Sequence, residues 1–118
     1  MRLLAAVAVG GAIGTLLRAL LVEAIPHDPG SWPWATLAAN VLGALVLGVV
    51  ARQVTTMARR GLLGAGFCGG LTTFSTLQLE LFDLLDAGEP VLATTYAAVS
   101  VAAGLAAVRL GERLGGPA

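Results

Sequence analysis

Apolar positions along this chain gather into four blocks, residues 3–22, 34–51, 61–79 and 91–108, each uncharged or nearly so. Each block runs for 18 to 20 residues. As α-helix that is about 27–30 Å, enough to cross the hydrocarbon of a bilayer. Polar and charged residues collect in the connections, 23–33, 52–60 and 80–90, which are too short to hold another domain. The pattern predicts an all-α membrane protein, with residues 1–118 forming one four-helix transmembrane domain. No linker, low-complexity tract, soluble appendage or strong internal repeat is expected. Arg2 ahead of an apolar run could pass for the start of a signal peptide, but the run is longer than a signal core and three more blocks follow. It reads as the first membrane helix.

The third block cannot be one ordinary helix. Its sequence, GLLGAGFCGGLTTFSTLQL, carries Gly64, Gly66, Gly69 and Gly70 in its first half, then Thr72, Thr73, Ser75 and Thr76 around Phe74. Each interior glycine costs about 1 kcal/mol of helix propensity relative to alanine. Helix-weakening and hydroxyl residues concentrated at the midpoint predict a broken helix. Such a break survives at membrane depth only where protein or a water-lined cavity satisfies the freed backbone groups. Exposed backbone at the midplane, half-helix ends and hydroxyls are the usual materials of an ion site. Close helix packing would account for the glycines. It does not call for the hydroxyls.

Composition agrees with a membrane setting and removes several functions. The chain is 57% hydrophobic and 12% charged, where a soluble domain carries about 25% charged residues. Its seven cationic residues are all arginine and are balanced by seven acids, so there is no basic patch for nucleic acid. A single cysteine, Cys68, excludes an intrachain disulfide and any multi-cysteine metal site, and its glycine neighbours suit a small packing residue. His27 lies in a Pro-Gly loop and reads as a surface residue. No catalytic triad, zinc site or phosphate-cradling loop can be assembled, so an enzyme is not expected.

The remaining spans contribute isolated polar groups. In GGAIGTLLR, Gly10 and Gly14 are four apart, as are Gly11 and Thr15, giving one flat face for close contact. Arg18 lies about a turn from the end of its run and has two readings: snorkelling to the headgroups, or lining an aqueous vestibule that attracts anions. Trp32 and Trp34 flank Pro33 and suit the membrane interface. Thr36 and Asn40 share a face of the second span, and the Asn40 amide is expensive in hydrocarbon unless paired. It serves either as interhelical glue or as pore lining. In the fourth span Tyr96, Ser100 and Gly104 follow at four-residue steps, one stripe with two hydroxyls. Arg2, Arg52, Arg59, Arg60, Arg109 and Arg113 fall on one side of a four-span layout, while Glu23, Asp28, Glu80, Asp83, Asp86 and Glu89 collect on the other. The positive-inside rule then predicts a multi-pass cell-membrane protein with both termini cytoplasmic.

GFCGGLTTFST (residues 66–76), with GGAIGTLLR and TLAAN (residues 36–40), is similar to the CrcB/Fluc fluoride channel family over the whole chain. The resemblance implies an antiparallel dimer of four-helix subunits with two narrow pores between them. It implies passive conduction that expels fluoride from the cytoplasm and so reduces its toxicity. It also implies a structural, untransported sodium ion at the dimer centre, held by backbone carbonyls of Gly69 and Thr72. Asn40, Phe74, Ser75, Thr76, Tyr96 and Ser100 fall on positions resembling the family's pore lining, and Glu80 on an acidic position after the motif.

Three features depart from the family pattern. Leu77 stands where a second aromatic is usual, Gly104 stands where the fourth-span stripe commonly continues with a hydroxyl, and the flanking charge is strongly biased. Fixed orientation and an incomplete lining suit one half of a heterodimer whose second CrcB-like chain inserts the other way up; a homodimer is the alternative. Two further functions stand beside the channel. A non-conducting structural subunit would supply packing and the sodium site but no open pore. A small multidrug transporter would need a carboxylate deep in the membrane, and here Glu23 sits at a span edge and Glu80 after the third run.

Overall fold

Three apolar helices form the long rods of the molecule: α1 (Arg2–Ala24), α2 (Trp34–Gln53) and α6 (Pro90–Leu114), of 23, 20 and 25 residues. All three are long and apolar enough to cross a membrane. The computed structural model describes residues 2–28 and 30–116; Met1, Pro29, Pro117 and Ala118 lie outside the described residues. No strand occurs among the described residues. The longest dimension, 47 Å, matches a bilayer core of about 30 Å plus both headgroup layers.

The third span is broken, and its pieces differ from a simple pair of half-helices. A short α3 (Met57–Arg60) runs directly into eight residues of π-helix (Gly61–Cys68) and then α4 (Gly69–Leu71). Thr72 and Thr73 are extended, with φ/ψ of −82°/154° and −150°/110°. Helix α5 (Phe74–Asp86) follows. The expected break is present: the glycines lie in the widened coil, and the break falls on the two threonines after them. The wider coil is visible where the Gly69 N–H reaches back five residues to the Gly64 carbonyl, a spacing found mostly at functional bulges. A correction concerns Glu80, expected at the start of a connection. It lies inside α5, because that helix continues to Asp86 and leaves only residues 87–89 to turn the chain. Gly88 makes that turn at φ +78°, and Pro90 opens α6 at a position where its missing N–H costs nothing.

Helix contact rests on glycine rather than on large apolar cores. Lipid tails are as apolar as leucine, so association in the membrane depends on close packing and hydrogen bonds. The flat face predicted for α1 lies against the π-helix and α4: a Cβ on Gly10 would strike the Leu62 carbonyl, and one on Gly14 the Phe67 carbonyl. On the other side of each seam, Gly66 faces the Val7 carbonyl and Gly70 the Gly11 carbonyl. Helices α2 and α6 meet in the same way through Gly48 and Gly111. Among the described residues, a cluster of buried side chains, Leu84, Ala93 and Tyr96, joins α5 to α6 beneath Trp32, Leu37 and Leu77. Leu4, Leu16, Val101 and Leu105 stand exposed on the outside, where lipid covers them.

Because Gly111 touches backbone, Gly111→Val has no compliant neighbour to move. Overpacking of this kind costs about 1–3 kcal/mol, and the detergent-solubilised protein should melt at a clearly lower temperature. Gly104→Ala, which adds a methyl with no chain atom within 4 Å, should be the milder change in the same thermal scan.

Candidate functional site

Breaking a helix exposes carbonyls on one half and N–H groups on the other, and the chain meets these demands with side chains from α1 and α2. The Asn40 amide on α2 pairs with both backbone groups of Thr73: its Oδ1 accepts from the Thr73 N–H at 2.8 Å and its Nδ2 donates to the Thr73 carbonyl at 3.3 Å. Thr72 folds its hydroxyl back onto the Cys68 carbonyl at 2.8 Å, beside its own N–H on the same oxygen at 2.9 Å. Thr73 caps α5, its Oγ1 accepting from the Thr76 N–H at 3.1 Å. From the opposite side, Arg18 Nε donates to the Gly70 carbonyl at 3.1 Å. The Arg18 head is therefore turned toward the break and not only toward the headgroups.

Some groups at the break keep unused capacity. Among the described residues no hydrogen bond reaches the carbonyls of Gly69 or Thr72, and none leaves the N–H groups of Phe74 or Ser75. The first set lies at the negative end of a half-helix and the second at the positive end of another. Phe74 is 71% exposed. Ser75 and Gly69 are also exposed, with Thr76 half-buried behind them.

A second polar group sits one helical turn along. The Glu80 carboxylate accepts from Thr36 Oγ1 at 2.8 Å on one oxygen and from Tyr96 OH at 3.0 Å on the other. Tyr96 is fully buried, with the Trp32 ring edge-on at 5.2 Å. Ser100 lies a turn further along α6, its hydroxyl buried and without a partner among the described residues. The two groups connect because one face of α2 reaches both the break and Glu80. Asn40 answers Thr73, and Thr36, four residues earlier, answers Glu80, seven residues later. The result is a polar seam along otherwise apolar helices.

Of the residues singled out from sequence, Asn40, Phe74, Ser75, Thr76, Gly69 and Thr72 meet at the break. Tyr96 and Ser100 do not face Phe74 within the subunit; they lie with Glu80 on the inner side of α5. Arg18 joins the break through Gly70. Two partners escaped the sequence reading, Thr73 under Asn40 and Thr36 under Glu80. The signal present was the shared face of Thr36 and Asn40 on α2; the seven-residue separation of their partners, Thr73 and Glu80, across the break carried none.

With this arrangement in view, similarity to known proteins narrows the class. Residues 5–112 match the family described as CrcB-like protein, Camphor Resistance (CrcB). The chain is 48% identical to the fluoride-specific ion channel FluC 1 of Mycolicibacterium paratuberculosis, covering 96% of this chain and 89% of that protein. It is 46% identical to the protein of the same name from Mycobacterium bovis, over 92% and 86%. It is 44% identical to the fluoride-specific ion channel FluC of Rhizobium etli, over 89% of each. This chain is an all-α membrane protein and belongs to the CrcB family.

Among the described residues, Asn40 is the only side chain that bonds both backbone groups of Thr73. Asn40→Ala should cost about 1–3 kcal/mol, the penalty for stranding buried polar groups, and should raise hydrogen–deuterium exchange at the Thr73 amide. Tyr96→Phe leaves the Glu80 carboxylate with Thr36 alone. It should lower the melting temperature of the solubilised protein while leaving exchange at Thr73 unaltered.

Proposed function

We propose that this chain is a subunit of a fluoride channel that lets fluoride leave the cytoplasm passively. The observation that carries the reading is the Thr72–Thr73 break, stapled by Asn40 and opening beside exposed Phe74 and Ser75. The names of the relatives supply the ion. Fluoride is small and strongly hydrated, so a conducting path must replace its water with donors without holding it too tightly. The N–H groups of Phe74 and Ser75, the Ser75 hydroxyl and the second amide hydrogen of Asn40 are such donors. The Phe74 ring edge carries partial positive charge and can meet an anion while keeping water out. Tyr96, Ser100 and Thr76 extend the path, with Arg18 and Glu80 at its vestibules.

A pore of this kind forms between subunits in our reading, since Phe74 faces away from its own chain. The bare surface around Gly64, Ala65 and Gly69 borders a depression with Gly43, Ala44 and Leu47, and supports close approach of an antiparallel partner. The free carbonyls of Gly69 and Thr72 suit a structural sodium ion between two such surfaces, as unwound carbonyls and half-helix C-terminal ends do in other membrane proteins. Bound there, sodium would offset the negative half-helix end. Biased arginines support a fixed orientation with cytoplasmic termini, and hence a heterodimer with a second CrcB-like chain. Leu77 fits that incomplete half, since it packs inward against the Tyr96 cluster and offers no ring beside Phe74.

Fluoride efflux from liposomes, followed with a fluoride electrode, tests the reading. Phe74→Ile should slow efflux by roughly tenfold or more, about the 1.4 kcal/mol that a lost ring-edge contact supplies, with the melting temperature unchanged. Unaltered efflux in Phe74→Ile and Asn40→Ala channels would leave only a structural, non-conducting subunit. Liposomes holding this chain alone should show little efflux, and co-reconstitution with the second CrcB-like chain should restore it. Robust efflux from the single chain would establish a homodimer instead.

A further inference from the structure

At the arginine-rich end, α2 and α6 enclose a polar depression that the channel reading does not use. Gly48 and Gly111 hold the two backbones in contact, and Gly115 tucks against the Arg52 side chain. The helix ends therefore stay together and bring Arg52 beside Arg109 and Arg113. Between them lies an open cavity of about 620 Å³ lined by Arg52, Arg109, Glu112, Arg113 and Gly116. Glu112 is the only acid among its described lining residues, and it engages Arg52 at 3.7 Å. Arg109 and Arg113 make no ion pair among the described residues, so two guanidinium groups face the cavity beside the Arg52–Glu112 pair.

Depth decides what such a cavity meets. Arg109 is 19 residues along α6 from Pro90, about 29 Å at the helical rise, which is the thickness of the hydrocarbon. Arg52 lies at the same end of α2. The cavity is thus at headgroup level, and Leu110 and Leu114 stand exposed next to its arginines, facing acyl chains. Guanidinium forks bind phosphate oxygens in pairs, and basic pockets between membrane helices are known receptors for anionic headgroups.

We propose that the α2–α6 cavity binds a phosphate group at the membrane surface, with the phosphodiester of an anionic lipid as its source. Arg109 and Arg113 grip the phosphate, Glu112 holds Arg52 in place at the cavity wall, and the flanking leucines receive the tails. The site depends on the membrane reading alone and stands whether or not the channel carries fluoride.

Native mass spectrometry of the full chain, with phosphatidylglycerol, phosphatidylcholine or inorganic phosphate added, tests this. Phosphatidylglycerol should remain bound where phosphatidylcholine dissociates, and Arg109→Gln/Arg113→Gln should weaken retention by roughly thirtyfold, as the loss of two arginines near an anionic surface implies. Arg59→Gln/Arg60→Gln, which removes as much charge from outside the cavity, should change it little. If the glutamine pair fails to fold, Arg109→Lys/Arg113→Lys keeps the charge without the fork and should give intermediate retention. Displacement of the lipid by millimolar inorganic phosphate would support the phosphate site and assign it to the soluble ion. Equal retention in both arginine pairs, or of both lipids, would overturn the proposal, since a diffuse positive surface predicts that result.

Discussion

Hydrocarbon offers no hydrogen-bond partners, so an interrupted helix at membrane depth must find replacements for each backbone group it frees. The structure meets that constraint mainly with one amide. Asn40 presents a donor and an acceptor in the geometry of a peptide group, and both are taken by Thr73. A carboxylate could accept but not donate, and a shorter hydroxyl could not reach both atoms at once. Arg18 performs the complementary service for Gly70 from the other side. With these contacts made, two residues can remain extended between an oversized coil and an ordinary helix.

The polar seam follows from the same stapling. Asn40 holds Thr73, the same face of α2 presents Thr36 to Glu80, and Tyr96 of α6 closes on the other carboxylate oxygen. Opposite half-helix ends meet at one level, with free carbonyls on one and free N–H groups on the other. A cation and an anion could therefore be served by backbone groups within a few residues of each other. That is the physical basis of the proposed fluoride path and of the proposed sodium site beside it.

Glycine sets how closely the supports approach. Backbone contact of α1 with the π-helix brings Arg18 to Gly70, and backbone contact of α2 with α6 holds the seam's far wall in place. The same contact gathers the arginines at the other end of α2 and α6. Large apolar side chains are few inside the subunit because lipid, unlike water, gives them no reason to hide. They stand outside, and the surface beside the break is bare glycine and alanine.

Four blocks, a broken third and a lopsided arginine distribution were legible in the sequence, because bilayer thickness and backbone satisfaction act on local composition. The candidate residues were legible as well, since Asn40 and a hydroxyl cluster are conspicuous in apolar runs. What stayed hidden was which group each of them meets. That the glycine stretch would coil as a π-helix, with the break confined to Thr72 and Thr73, had no local signature. Glu80 looked like a connection residue until packing of α5 on α6 carried that helix past it. Asn40 meets a partner 33 positions away, and sequence spacing says nothing of such pairs. Periodicity reads one helix at a time; the satisfaction of a broken backbone is a property of helices brought together.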